Sequence, residues 1–356
     1  MMLSAENAHG YFSLSDDFCC GLFTVSERLS RTLPGGGKDF RPVPGLLRAH
    51  VPALPDTPAD FFYNGTCVLT YQGGGRHLEL AEDECLLIED PMELFSHHAR
   101  MAEKDRALID EEEYLHVLPE GVFLRGGRKD LLIHKTARIS GPVSISTEEG
   151  PVVIDARASV KPFSVLEGPL YIGPDSIIES ARIRTSYIGA SCRMGGEVEE
   201  SVFHPFSNKH HEGFIGHSVI GRWVNLGALT TGSDLKNNYA PVRFPDPQGE
   251  FQATPHLKLG ALVGDHVKTG IGTLFNTGSR ISLGSLIAGG GLSPVWLPPF
   301  SWHVDGKTRL YEIRSFLHTE KTVMGRRDQE MSEEYEEKMR ALFNASKRFH
   351  EKGEGK

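Results

Sequence analysis

Residues 154–178 read Ile-Asp-Ala-Arg-Ala-Ser-Val-Lys-Pro-Phe-Ser-Val-Leu-Glu-Gly-Pro-Leu-Tyr-Ile-Gly-Pro-Asp-Ser-Ile-Ile, and every sixth residue is aliphatic: Ile154, Val160, Leu166, Ile172 and Ile178. A helix repeats near 3.6 residues and a plain strand at 2, so a period of six belongs to neither. It fits short strands joined by tight corners, with one inward side chain per six residues stacked on its equivalent in the next coil. Such repeats bury that face only by stacking on one another. The spacing recurs upstream at Ile133, Ile139 and Ile145, and downstream at Val263, Thr269, Phe275, Ile281 and Ile287, where Thr269 and Phe275 are the departures from aliphatic character. Glycine follows the inward residue at Ile172, Ile188, Ile220, Leu226 and Val263, where a corner needs close backbone approach or a positive φ. The expected fold is therefore mainly β, a left-handed parallel β-helix of hexapeptide repeats from about Leu131 to Phe300, within a domain spanning 119–303.

The phase breaks twice. Thr147-Glu148-Glu149-Gly150-Pro151 is turn chemistry and predicts a short insertion at a corner. A larger break at 237–258 carries Pro241, Pro245, Pro247, Gly249 and Pro255, which argue against regular strands and predict a loop extruded from the coil wall. After Trp302 the pattern changes, and Glu330 to His350 has the composition of a surface helix, placing a helical extension at 304–356. Residues 1–118 read as a small α+β domain, with a hairpin around Asn64-Gly65 and a helix from Pro91 to Lys104.

The composition limits the function. The 356 residues carry a formal net charge of −9, which disfavours nucleic acid and anionic membranes as partners, since both need clustered Lys and Arg. A small-molecule partner is expected. No segment approaches a membrane span and the first thirty residues lack the apolar run of a signal peptide, so a cytoplasmic location is expected. The five cysteines, Cys19, Cys20, Cys67, Cys85 and Cys192, form no CxxC pair and read as free thiols. The clusters Gly35-Gly36-Gly37-Lys38 and Gly73-Gly74-Gly75-Arg76 lack phosphate-loop spacing and read as turns.

Ionisable groups concentrate between Glu197 and Asn238. A histidine near its ordinary pKa is a natural base for an amine or hydroxyl nucleophile, and a neighbouring carboxylate would hold its tautomer. His211 and Glu197 are the candidate pair. Zinc ligation by His204, His210, His211 and His217 is the competing reading, but adjacent His210 and His211 point in opposite directions on a strand and no known ligand spacing is met. Solvent-facing histidines with no role are the remaining alternative.

Three runs, Gly196-Glu197-Val198-Glu199-Glu200-Ser201, Ser207-Asn208-Lys209-His210-His211-Glu212-Gly213-Phe214-Ile215-Gly216 and Val224-Asn225-Leu226-Gly227-Ala228-Leu229-Thr230, resemble the acetyltransferase half of the bifunctional UDP-N-acetylglucosamine pyrophosphorylase/glucosamine-1-phosphate N-acetyltransferase family. The stretch from Gly195 to Tyr239 and the run from Gly264 to Gly278 are more similar still to its divergent sugar-nucleotidyltransferase branch. The resemblance implies an acyltransferase using acetyl-CoA, assembled as a homotrimer with CoA between neighbouring chains. It implies His211 as general base, Glu197 as its acidic partner, and Lys209, Phe214, Asn225, Asn237, Asn238 and Tyr239 as substrate contacts. Ala228, Gly272 and Thr273 would contact the cofactor, and no metal is implied for acyl transfer. The family lysine two residues after the acid is Glu199 here, which reverses the charge where a sugar phosphate would sit.

The nucleotidyltransferase half of the family opens with a Gly-rich loop that is not found in residues 1–118. A diverged sugar-1-phosphate nucleotidyltransferase, which would need Mg²⁺, is thus an alternative to the acyltransferase. A non-catalytic binding or assembly protein is the third reading, and Glu199 is its best support.

Overall fold

A computed structural model describes residues 92–351 and, ahead of them, short strands between Cys19 and Leu87. From Val122 onward the chain winds as a left-handed parallel β-helix of about 10 turns. Its first face is a nine-stranded parallel sheet in which successive coils align Ile133, Ile154, Ile172, Ile188, Phe203, Ile220, Val263, Ile281 and Leu297. The second face aligns Ile139, Val160, Ile178, Met194 and Lys209, then continues through Asn225 to Lys268 and on to the strand at Leu286. The third aligns Leu124, Ile145, Leu166, Ile183, Val198 and Ile215.

The repeat supplies the core. Ile154, Val160, Leu166, Ile172 and Ile178 are all 0% exposed, and they belong to one continuous apolar stack running from Leu131 to Leu297. Each inward branched side chain withdraws apolar area worth about 2 kcal/mol from water, a gain that exists only when the next coil covers it. The corners carry left-handed backbone at several non-glycine residues, among them Arg157, Phe163, Phe206, Trp223 and His266.

Three elements differ from expectation. The segment 237–258 holds an antiparallel hairpin, Arg243–Pro245 against Phe251–Ala253. Pro245 is tolerated there because the pair is only two strands wide and leaves edge positions. The hairpin is pinned by buried Val242 and Phe244, the latter lying under the Arg280 guanidinium at 4.3 Å. The carboxy-terminal extension holds two helices rather than one, α2 (Ile313–Gly325) and α3 (Glu333–Glu351), preceded by a hairpin that adds Lys307–Leu310 to the last coil. Thr319 and Lys321 break the apolar run in the first of these, which hid it from composition.

The helix expected near Pro91 is α1 (Glu93–Arg106), and it lies on the first face of the β-helix. His98 Nε2 meets the Pro169 carbonyl at 3.1 Å, and the Phe95 ring meets His217 edge-on at 5.6 Å. The expected hairpin pairs Ala59–Tyr63 with Thr66–Tyr71, while its turn, Asn64-Gly65, lies outside the described residues. The Gly35–Gly37 cluster also lies outside them. Cys192 is buried, and its thiol donates to the His204 carbonyl at 3.3 Å.

Candidate functional site

Residues 210–213 turn the chain from the second face to the third. Lys209 ends the strand before this corner, and its side chain points into the core instead of toward a substrate, as was expected of it. It is 2% exposed, aligned with Met194, and its ammonium donates to the carbonyls of Gly195 at 2.8 Å and His211 at 3.0 Å. Burial lowers its pKa to about 8 against the opposing pull of Glu212 and Glu197. Lys209 is thus a clamp on the corner's main chain. Gly195 lies beneath, and a Cβ there would stand 2.0 Å from the His210 carbonyl oxygen, so a side chain at that position would push the corner out.

The clamped corner presents His210 and His211 to solvent, their rings 4.8 Å apart and at 86°. They stand at a cleft of about 460 Å³ that also holds Asn225, Ala228, Arg193 and Arg327, with Leu226 and Ile271 as its apolar lip. Asn225 accepts from Asn208 Nδ2 at 3.2 Å. Of the expected residues, His211, Asn225 and Ala228 come together here.

The others are placed elsewhere. Glu197 and Phe214 are neighbours in register on the third face. Glu197 lies in a separate depression beside Glu212 and pairs with Arg182 at 3.7 Å. Among the described residues no hydrogen bond joins Glu197 to His211, so the expected tautomer-holding contact is not made within one chain. Asn237 and Asn238 line another depression under the 243–253 hairpin, and Tyr239 is 71% exposed. Gly272 donates its N–H to the Ala228 carbonyl at 2.8 Å, on the coil above. Thr273, expected at the cofactor, is 0% exposed and donates to the Gly270 carbonyl at 2.9 Å, which leaves no hydroxyl for a ligand.

An acid–histidine pair does form nearby, at His217. Its Nδ1 meets Asp234 at 2.7 Å and its Nε2 meets Glu200 at 3.2 Å. Burial alone would lower its pKa, but the two carboxylates outweigh burial and carry it to about 9. Glu199 adjoins this group and is bonded by Arg184 and, at 3.4 Å, by Lys258. Its negative charge is therefore balanced twice over, and the charge reversal read from sequence does not leave an anionic patch. Donor atoms of Glu199, Glu200 and His217 lie within 4.8 Å of one another, but Glu199 is already paired with Arg184 and Lys258, and both His217 nitrogens already meet carboxylates, Glu200 among them.

Arg327, which sequence reasoning did not single out, enters the cleft from the turn after α2. It donates to the Ser191 carbonyl at 3.2 Å and to Asn208 Oδ1 at 2.8 Å. No local motif marks it, since only the docking of α2 brings it to the second face. Docking rests on buried Glu320, whose carboxylate meets His266 Nδ1 at 2.7 Å and Lys268 Nζ at 2.8 Å. The opposite nitrogen of His266 meets the Tyr335 hydroxyl at 2.7 Å.

No family profile matches the chain. It is 33% identical over 141 residues to a bifunctional sugar-1-phosphate nucleotidylyltransferase/acetyltransferase of Sulfurisphaera tokodaii, covering 37% of this chain and 34% of that protein. A bifunctional protein GlmU of Methanococcus maripaludis is 31% identical over 117 residues, covering 33% and 26%. The GlmU of Pelobacter propionicus is 26% identical over 273 residues, covering 69% of this chain and 54% of that protein. The chain thus spans about a third of the first of these relatives and about half of the last. Among solved structures, an acetyltransferase candidate from Bacillus cereus covers 63% of this chain and 98% of its own at 13% identity and a TM-score of 0.25, too low to argue from.

Proposed function

We propose, for a chain that resembles hexapeptide-repeat acetyltransferases of the GlmU type, that it transfers an acyl group from acyl-CoA to the amine of an amino sugar, sugar phosphate or sugar nucleotide. The single observation that supports this best is the corner itself: an exposed His211 on a main chain clamped by Lys209, at the mouth of a cleft shared with Asn225 and Ala228. A general base must sit on a rigid support within reach of the proton it removes. The amine nitrogen attacks the thioester carbon, His211 takes the proton from that nitrogen, and main-chain N–H groups of the corner stabilise the oxyanion. The carbon–sulfur bond then breaks, and the proton passes to the thiolate. No metal enters this scheme.

Asn225 would orient the sugar, and Phe214, Glu197 and the 237–239 segment would meet it from the third face. Those groups lie outside the cleft of a single chain, so the reading includes a homotrimer in which a neighbour brings them together. Glu199, held by Arg184 and Lys258, fits a neutral or anionic acceptor equally. Among the described residues no helix is long and apolar enough to cross a membrane, and a cytoplasmic location belongs to the same proposal.

The test is free-thiol release from acetyl-CoA with a panel of amino sugars, their phosphates and their nucleotides. We expect release with at least one acceptor, and His211→Ala to lower it by about 100-fold or more, the usual weight of a general base. No release with any acceptor would overturn the reading. Nucleotidyl transfer by the amino-terminal region, favoured by the bifunctional names of the relatives, predicts Mg²⁺-dependent pyrophosphate release from a nucleoside triphosphate.

A further inference from the structure

Two depressions on the second face share Asn208, Asn225 and Arg327 and run together as one trough. The His211 cleft forms one end and brings Arg193. The other end, about 340 Å³, lies between the Phe206 and Trp223 corners and α2, and brings Lys268 and Arg326. Among the described residues no aspartate or glutamate lines either part. Lys268 is paired with Glu320 at 2.8 Å; in a protein with a net charge of −9, the three arginines Arg193, Arg326 and Arg327 in a trough with no acidic lining residue concentrate positive potential at one place.

The arginines are held ready without being neutralised. Arg193 donates to the carbonyls of Asp175 and Cys192, both at 3.0 Å, while the carboxylate of Asp175 is taken in two-pronged fashion by Arg157 at 2.7 and 2.6 Å. Arg327 is fixed by a carbonyl and an amide oxygen, again without a carboxylate. Arg193 therefore faces a like charge: burial and the nearby Arg327 both push its pKa down. Fixed guanidinium pairs of this kind match phosphate oxygens in geometry as well as charge.

Beside them is a flat apolar surface. The Phe206 and Trp223 rings stack at 4.1 Å and 5°. Trp223 covers one face of Phe206, and the half-buried Phe206 lines the trough with Val323 of α2. Aromatic rings at the edge of a cationic groove are the usual platform for a base.

We infer that this trough binds a nucleoside diphosphate, its phosphates between Arg193 and Arg327 and its base against Phe206 and Trp223. The inference rests on the proposed function only in placing this moiety next to the reacting His211. Two substrates carry the chemistry, the nucleotide end of CoA and a sugar nucleotide acceptor. The coils supply Arg193, Phe206 and Trp223, and the docking of α2 on the second face adds Val323, Arg326 and Arg327.

The experiment is calorimetric titration of the full chain with UDP, with adenosine 3′,5′-diphosphate, with CoA and with inorganic phosphate. Binding of UDP over the adenosine ligands points to a sugar nucleotide, and the reverse order to CoA; either supports the site. Arg193→Gln should weaken nucleotide binding about ten-fold or more, the weight of one charged hydrogen bond, and Phe206→Ala should weaken it while leaving phosphate binding unchanged. Arg193 bonds only main-chain carbonyls, and an unchanged melting temperature confirms that the variant folds. Should the melting temperature fall, Arg193→Lys, which keeps the charge and loses the fork, reports instead. If neither nucleotide binds more tightly than inorganic phosphate, or if the arginine variants bind like the parent, the inference is overturned. Since no acyl transfer is measured, these outcomes are independent of whether thiol is released.

Discussion

His217 and Lys209 are both titratable, both buried, and tuned in opposite directions. His217 holds its proton more firmly folded than unfolded, so its contribution is complete below its ordinary 6.5 and is lost as pH rises toward about 9. Glu200 and Asp234, both lowered by His217, contribute above their ordinary values and lose that contribution as pH falls through the lowered ones. Lys209, lowered to about 8, costs stability while protonated, and that cost fades between about 8 and its ordinary 10.5. Among the described residues His217 is the group whose shift spans pH 6.5 to 8. Stability should fall there by about 1 to 2 kcal/mol, and His217→Gln should remove this slope. Thermal melting across pH tests it, and a variant that kept the parental slope would refute the assignment.

The register explains Lys209. Phe203, Lys209 and Ile215 keep the six-residue period, so the inward position of the lysine was written in the repeat; its charge suggested a ligand instead. Glu199 is the converse case. Its charge reversal was visible in the chain, whereas its two cations, Arg184 and Lys258, come from the coil below and from the end of the extruded segment.

At the scale of elements, α2 and α3 are held to the solenoid by one polar centre and one apolar cluster. Glu320 joins His266 and Lys268, while Phe316, Leu317, Met339 and Phe343 pack on Leu283 and Phe300. Removing Glu320 would leave the half-buried Lys268 ammonium without its carboxylate and the buried His266 Nδ1 without its hydrogen-bond partner. Glu320→Ala should destabilise by about 3 to 5 kcal/mol, and Glu320→Gln by less. Limited proteolysis should show new cleavage between α2 and the last coil, and nucleotide binding should weaken because Arg327 follows α2. Unchanged proteolysis together with unchanged melting would rule out this docking role.

For the whole molecule, the third face and its corner leave Leu229, Ile271, Leu274 and Leu292 between 39% and 71% exposed. Large aliphatic side chains in a row are more than scattered surface residues, and a closed cyclic assembly would cover them. Light scattering should give the mass of a trimer of 39.3 kDa chains, and Ile271→Asp should shift it toward the monomer. If the site is shared as proposed, with Glu197 and Phe214 supplied by a neighbour, acyl transfer should fall with the trimer. A fully active monomer would contradict the shared site.

A period of six is a local property, and the chain by itself determined the solenoid, its inward residues and the corner that carries His211. Each inward side chain needs only the next coil, which the same repeat supplies. The hairpin in 243–253, the clamp by Lys209, the His217 pair and the entry of Arg327 were decided by tertiary structure. Each depends on a contact from one coil to the next or from a coil to an added segment, and no spacing along the chain encodes which charge will meet which.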